Sequence, residues 1–366
     1  MRIVQYHPRA MVGDGGITNS VRRLSAAMRD HGADPIIVYD EPDTPPDEMW
    51  VGLRHRGPRG LRVPVGLASA LESADVLVCN SAWTLHNAVA AGSARKHGVP
   101  YVLAPRGAYD PRIRQRRRHV KDLWWRALER RTVEGARAIH VFFPEESAHL
   151  EALGYRGDTL VAPNGVAVHD DVRWDGGTGE YLLYLGRFDP EHKGLDLLVR
   201  AAASLPAGRI PTLRLHGPDW RGGKQAVRAL VEQLGATDRV AIGDAVYSTE
   251  KWDLLRRATG FVYPSRWEAF GNSVAEAAAI GVPTLVTPYP LGRYLARRGA
   301  AVLAEPDVSS LREGLQRLCS PSAGDLGKAA SQIALRELTW PSVAQSWLEQ
   351  LARLLRPLDS GEDVPT

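Results

Sequence analysis

Two cations, two carboxylates and a pair of glycines stand at spacings that suit the handling of a charged group. Arg187 and Lys193 lie in Gly186-Arg187-Phe188-Asp189-Pro190-Glu191-His192-Lys193-Gly194, which follows the apolar run 181–185 and opens a helical pattern. Two cations converging on one strand end suit a diphosphate whose charge grows as a bond to it breaks; on a solvated loop they would be ordinary surface charges. Glu268 and Glu276 belong to Arg266-Trp267-Glu268-Ala269-Phe270-Gly271-Asn272-Ser273-Val274-Ala275-Glu276. Glu268 closes a turn after Pro264-Ser265, and Glu276 lies two turns into an otherwise apolar helix. A carboxylate among alanines persists if it accepts hydrogen bonds, as ribose or sugar hydroxyls would supply, or if it faces solvent. Asp14-Gly15-Gly16-Ile17 joins the first strand to the first helix. Its glycines either let backbone amides approach an anion at a helix N-terminus or make a plain strand-to-helix turn.

Elements that would hold these residues are legible as short apolar runs alternating with helical patterns, the signature of an α/β fold with parallel sheets covered on both faces. At 366 residues, 44% hydrophobic and 24% charged, the chain suits two such lobes. The pattern breaks near 162–165 and across the polar, Gly-rich 170–179. The expected division is a first lobe over 1–165, a linker over 166–179, a second lobe over 180–340, a helix over 341–356 that returns to the first lobe, and a disordered tail over 357–366. Ligands of open α/β sheets bind beyond the carboxyl ends of the strands, so two facing sheets would make an interdomain cleft.

Composition narrows the function. A net charge of +4 gives no reason to expect nucleic acid. Cys79 and Cys319, far apart, supply neither a disulfide framework nor a zinc site, which fits a reducing, cytoplasmic compartment. The start of the chain reads as a strand rather than a secretion signal, and no apolar run approaches the ~18 residues that span a bilayer. No fixed repeat points to a solenoid.

In order along the chain, Gly15-Gly16, Pro163-Asn164-Gly165-Val166, the Gly-Arg-x5-Lys-Gly run at 186–194, Val240-Ala241-Ile242-Gly243 and the run from Pro264-Ser265 to Glu276-Ala277 resemble the motifs of the retaining glycosyltransferases called GT-B, family 4. The resemblance covers nearly the whole chain and implies two Rossmann-like doubly wound lobes. It implies that Arg187 and Lys193 neutralise a donor diphosphate, that Glu276 binds the nucleotide ribose, and that Glu268 works beside the transferred sugar. Phe270, Gly271 and Asn272 would then line sugar and phosphate, Val240 and Ile242 would frame the base, and Gly15 and Gly16 would close on the phosphate from the first lobe. No Asp-x-Asp occurs, in keeping with a family that needs neither metal nor cofactor beyond its nucleotide-sugar co-substrate. Configuration would be retained by front-face attack, the leaving phosphate helping to remove the acceptor proton.

Two stretches depart from the family. Pro105-Arg106-Gly107-Ala108 stands where many members carry a His. Arg106 is either a ligand for an acceptor or donor oxygen or a helix cap, and Asn80 and Trp83 join it as acceptor-side candidates. Thr287-Pro288-Tyr289-Pro290-Leu291-Gly292 replaces a Gly-rich turn that often contacts sugar or phosphate. The expected donor is a nucleotide diphosphate hexose, uridine rather than guanosine, and the acceptor a cell-surface or lipid-linked saccharide or a small secondary metabolite. A sugar-nucleotide epimerase of the same fold and a non-catalytic anion-binding protein are the competing readings.

Residues 110–131 carry nine Lys or Arg against three acids. Val120, Leu123, Trp124, Ala127 and Leu128 fall on one helical stripe expected to face the core, with Trp125 off it. The cations, Arg114, Arg116, Arg117 and Arg118 among them, make a solvated face, a peripheral contact with anionic lipid at the inner face of the membrane, or a site for a phosphorylated acceptor.

Overall fold

Continuous apolar runs become strands buried on both faces, as parallel sheets require. In the computed structural model, which describes residues 1–7, 15–40, 48–58, 61, 63–115, 117–169 and 171–356, the described residues form two units, those within 1–165 with 340–356 and those within 166–339. The first unit contains β1 (Arg2–His7), β2 (Asp34–Tyr39), β3 (Trp50–Gly52), the antiparallel pair β4 (Arg54–Arg56) and β5 (Val63–Val65), β6 (Val76–Asn80), β7 (Tyr101–Ala104), β8 (Ala138–Val141) and β9 (Thr159–Val161). Its parallel sheet has the order β3-β2-β1-β6-β7-β8-β9. The second unit contains β10 (Tyr181–Leu185), β11 (Thr212–His216), β12 (Val240–Ile242), β13 (Gly260–Tyr263), β14 (Thr284–Val286) and β15 (Val302–Leu303), in the parallel order β12-β11-β10-β13-β14-β15. Each sheet reverses its winding once, beside β1 and beside β10, and in open α/β sheets ligands bind at the carboxyl ends of the strands at such a reversal.

The final helix, Trp340–Leu354, belongs to the first unit and starts one residue before the expected boundary. Val343, Ala344, Trp347 and Leu351 are buried with Val76, Val78 and Val102 of the sheet and with Leu24 and Met28 of the first helix, Gly15–Asp30. Gln350 clasps β9, accepting from the Val161 N–H (3.0 Å) and donating to the Val161 carbonyl (2.8 Å). Gly165 is needed because a Cβ there would come within 2.2 Å of the Trp340 ring.

Two expectations need correction. Residues 166–179 are not a free linker but part of the second unit. The Trp174 backbone N–H donates to Ile280 O and its indole N–H to Ala258 O, both at 2.8 Å, while Asp175 N and Gly179 N donate to Arg256 O and Arg257 O. The polar composition reflects this work of satisfying helix ends rather than flexibility. The expected tail, 357–366, lies outside the described residues, as do Asp14 and Arg116.

The basic segment is also not one amphipathic helix with an apolar core stripe. It is built of the helices Pro111–Gln115 and Arg118–Trp124, a π-helical turn Trp125–Glu129 and the helix Arg130–Glu134. Val120 and Leu123 are 63% and 70% exposed, whereas Trp125 packs on the core and against Trp83 (ring centroids 6.2 Å). A residue added to a turn rotates the remainder of the helix by about 100°, so a straight-helix stripe fails. The turn carries Glu129 inward, where it accepts hydrogen bonds from Trp83 N (2.9 Å), Tyr109 OH (2.7 Å) and Trp124 Nε1 (3.3 Å).

Candidate active site

In the second unit the chemistry gathers at the ends of the two strands that flank the reversal. Arg187 follows β10 and Glu268 follows β13, and the loops behind them are locked together. Gly186 N donates to His216 O (3.0 Å) and Phe188 N to Pro218 O (2.9 Å). A Cβ on Gly217 would lie 1.8 Å from the Gly186 carbonyl oxygen, so only glycine allows this approach. Asp189 caps the short helix Pro190–Lys193 through His192 N. Gly194 then turns with φ 65° against the Pro264 carbonyl, where a Cβ would sit at 2.1 Å. Arg266 clamps the two loops through a bidentate pair with Asp196 (2.8 and 2.7 Å) and a bond to Glu191 O.

These contacts carry Lys193 of one loop onto Glu268 of the other. Lys193 is buried, its ammonium paired with Glu268 Oε1 and donating to Tyr263 OH at 2.9 Å. Of three N–H donors one has no hydrogen-bond partner among the described residues. Ser265 Oγ also donates to Glu268 Oε1 (2.8 Å). Burial alone would raise the Glu268 pKa, but Lys193, His192 and Ser265 outweigh it and hold the carboxyl below its ordinary range. His192 stacks on Trp267 (4.2 Å, 5°) and donates from Nε2 to Trp267 O (2.9 Å). Burial first, then the Lys193 charge, lower its pKa and keep it neutral.

Arg187 is different: its guanidinium is exposed and lies over the Trp220 ring at 4.5 Å, a cation held in position with no carboxylate partner among the described residues. Glu276 is half-buried on the helix Asn272–Ile280 and pairs with Lys251 at 2.7 Å, so it is neither a core carboxylate nor an unpaired one. Gly271, at φ 99°, precedes that helix, which has no side-chain cap; its amino end follows the buried Phe270 and points its N–H dipoles towards whatever anion approaches. Val240 is buried in β12 and Ile242 partly so. Tyr289, from the stretch that replaces a Gly-rich turn, is buried, T-shaped against Tyr263 (6.3 Å) and packed 3.3 Å from the Gly271 Cβ position.

In the first unit, Gly15 and Gly16 open the helix after β1, and a Cβ on Gly16 would meet nothing within 4 Å, so packing does not demand glycine there. Asn80, Trp83 and Arg106 come together at the ends of β6 and β7. Ser81, Trp83 and Arg106 have φ of 81°, 61° and 54°, a left-handed backbone that costs about 1 kcal/mol or more per residue and gathers at functional sites. Arg106 and Gly107 (φ 78°) are the central pair of a turn closed by Ala108 N to Pro105 O (3.1 Å), the positive-φ geometry that Asn and Gly ordinarily fill. The three candidates differ in what they can offer. Asn80 is fully used, donating to Gln5 Oε1 (2.9 Å) and accepting from Arg106 Nη2 (2.8 Å). Trp83 spends its indole N–H on Ala108 O (2.9 Å) and leaves only a ring face. Arg106 is partly exposed, and burial pulls its pKa down to about 10, still charged at neutral pH.

Residue spacing does not reveal Ser265, Tyr263, His192, the Arg266–Asp196 clamp, Trp220, Lys251 or Glu129 as parts of these sites. Tyr263, His192 and the Arg266–Asp196 clamp pair across 70 or more positions; Ser265, three residues before Glu268, is signalled locally.

Residues 15–165 match the glycosyl transferase 4-like domain model and residues 174–332 the glycosyl transferases group 1 model. Over 365 residues, 94% of each chain, the protein is 23% identical to the GDP-mannose:cellobiosyl-diphosphopolyprenol alpha-mannosyltransferase of Xanthomonas campestris. Over 182 residues it is 32% identical to the mannosylfructose-phosphate synthase of Agrobacterium fabrum, a match spanning 46% of this chain but only 40% of that relative. The fold matches sucrose-phosphate synthase from Thermosynechococcus elongatus (TM-score 0.76, 20% identity, 97% of this chain and 98% of that one). It also matches HepE from Anabaena in complex with UDP and glucose (TM-score 0.74, 16% identity, 96% and 100%). The chain belongs to the GT-B glycosyltransferases of the family 4-like type.

Proposed function

We propose that this glycosyltransferase moves a hexose from a nucleoside diphosphate donor, bound at the strand ends of the second unit, to a hydroxyl of an acceptor bound at the strand ends of the first. The observation that carries the donor half is the convergence of Arg187, Lys193 and Glu268 beside the sheet reversal. Lys193, with one N–H to spare, and Arg187, with no carboxylate partner among the described residues, supply positive charge where a departing diphosphate gains negative charge, and the Lys193–Glu268 pair fixes that charge before the reaction. Fixed charge of this kind supports a reaction without metal; the resemblance to retaining enzymes supports a reaction in which the sugar keeps its configuration without a side-chain nucleophile. Glu276, linked to Lys251, would take the ribose.

The family resemblance favours uridine as the base, while the Xanthomonas relative is named for GDP-mannose, so UDP-glucose and GDP-mannose are the donors to compare. That relative is named for a diphosphate-linked lipid acceptor and the Agrobacterium one for a phosphorylated product, which supports an acceptor of the saccharide, lipid-linked or sugar-phosphate kind. Full-length protein is incubated with each nucleotide sugar, alone and with such acceptors, in the presence of EDTA. Transfer only when acceptor is present, undiminished by EDTA, is the expected result. Conversion of the donor without acceptor would make the protein an epimerase; an intact donor in every mixture, despite nucleotide binding, would make it a binding protein.

A peripheral membrane contact is a second part of the reading, favoured by the exposure of Val120 and Leu123 beside Arg117 and Arg118. No described helix is long and apolar enough to cross a membrane. Anionic vesicles should sediment the protein at low salt and release it as salt rises, each surface cation contributing ~1 kcal/mol. Failure to sediment at low salt removes this contact.

A further inference from the structure

Among the described residues, Arg106 has no carboxylate as counter-ion. A guanidinium has five N–H donors. Nε and Nη2 reach Asn80 Oδ1 at 3.3 and 2.8 Å, and Nη1 reaches Asn164 Oδ1 at 3.4 Å, leaving two N–H groups without an acceptor among the described residues. Phe142 lies under the guanidinium at 5.8 Å. The nearby His140 adds no charge: burial above all, and Arg106 itself, push its pKa well down, while Nε2–H donates to Ala162 O at 2.8 Å. No described carboxylate forms an ion pair with Arg106. Elsewhere in the molecule the buried cation Lys193 has Glu268 as its partner. A partly desolvated charge held by neutral amides, on a turn whose positive φ works against its presence, is costly unless something else balances it.

We propose that Arg106 is the anion receptor of the acceptor site: a phosphate or carboxylate carried by the acceptor docks on the open edge of the guanidinium beyond β6 and β7. The planar fork suits either oxyanion, and Asn80 and Asn164 hold it in place by occupying its other donors. The acceptor is therefore an anionic molecule rather than a neutral sugar. This rests on the reading that the first unit binds the acceptor.

The test is titration of full-length protein at low ionic strength with inorganic phosphate and, separately, with acetate, in the presence and absence of saturating UDP or GDP. Wild type should take up one anion with nucleotide bound, and the tighter of the two anions identifies a phosphorylated or a carboxylated acceptor. Arg106→Gln should weaken that uptake about tenfold or more, the loss of a charge-assisted contact. Arg187→Gln should leave it unchanged. Arg106→Lys keeps the charge without the fork and should fall between wild type and Arg106→Gln; it decides the matter if the Gln variant has a lowered melting temperature. The proposal is overturned if wild type takes up neither anion, if both Arg106 variants bind as wild type does, or if uptake depends on Arg187 instead. Should neither UDP nor GDP bind wild type while phosphate uptake still requires Arg106, the donor assignment fails and the anion site stands.

Discussion

In the second unit the buried cation Lys193 meets a carboxylate, Glu268, and a phenol, Tyr263; in the first, Arg106 meets two side-chain amides. The contrast extends to the acids. Glu129 and Glu146 are buried in the first unit and accept hydrogen bonds from neutral groups, Trp83, Tyr109 and Trp124 for one, the Phe142 and Phe143 amides for the other, with the charges of Asp110 and Glu145 also acting on Glu146. Burial accordingly raises the pKa of both, Glu146 to about 7, whereas Glu268 is held low. In the second unit the buried charges, Lys193 and Glu268, balance each other before any ligand arrives, and the carboxylate-free cation, Arg187, is exposed to water. In the first, the partly buried Arg106 is held by side-chain amides alone. The first arrangement suits a donor whose diphosphate is always the same; the second suits recognition of what a particular acceptor carries.

The sharpest way to break this contrast is to remove Lys193. Lys193→Ala should cost turnover about 10²-fold or more and about 3 kcal/mol of stability, because Glu268 is left buried without its cation. Combining Lys193→Met with Glu268→Gln should restore most of the stability and none of the turnover, read by denaturant unfolding beside a transfer assay. Arg187→Ala separates the two effects: a similar loss of turnover, ~10²-fold, with stability within about 0.5 kcal/mol of wild type, since the side chain is exposed.

The acids of the first unit sharpen the contrast through pH. Glu146 binds its proton more tightly folded (about 7) than at the ordinary 4.5, so its contribution to stability is full below about 4.5 and is lost as pH rises through about 7. Glu146→Gln keeps an oxygen for the Phe142 and Phe143 amides and should remove a slope of at most about 1.4 kcal/mol per pH unit in that window. An unchanged slope in the variant would show that the Glu146 charge does not matter to the fold. The smallest expected effect belongs to Glu276→Ala, which should weaken nucleoside diphosphate about tenfold by removing a charged hydrogen-bond acceptor, and should do so equally for nucleotide and nucleotide sugar.

The strands of both sheets are legible because parallel strands buried on two faces must be apolar throughout, as Val76–Asn80 nearly is and Tyr181–Leu185 is entirely. The site residues are legible only as far as local spacing carries. Arg187, Lys193, Glu268 and Glu276 stand out by position, but nothing local says that Lys193 meets Glu268, 75 residues away, or that Glu276 meets Lys251. The basic segment misleads because a π-helical turn breaks the 3.6-residue period, and its cause, the need to bring Glu129 to Tyr109, Trp124 and Trp83, is a tertiary one. The stretch before Tyr181 misleads for a related reason, since polar, Gly-rich sequence also describes a segment whose backbone serves helix ends.

The most direct test of the donor assignment is titration calorimetry of UDP and GDP, and of UDP-glucose and GDP-mannose, into full-length wild type, Arg187→Ala and Glu276→Ala. The account predicts one site per chain, a clear preference for one base, and weaker binding of both the diphosphate and its sugar in each variant. Absence of binding by all four ligands, or binding that neither substitution changes, would contradict it.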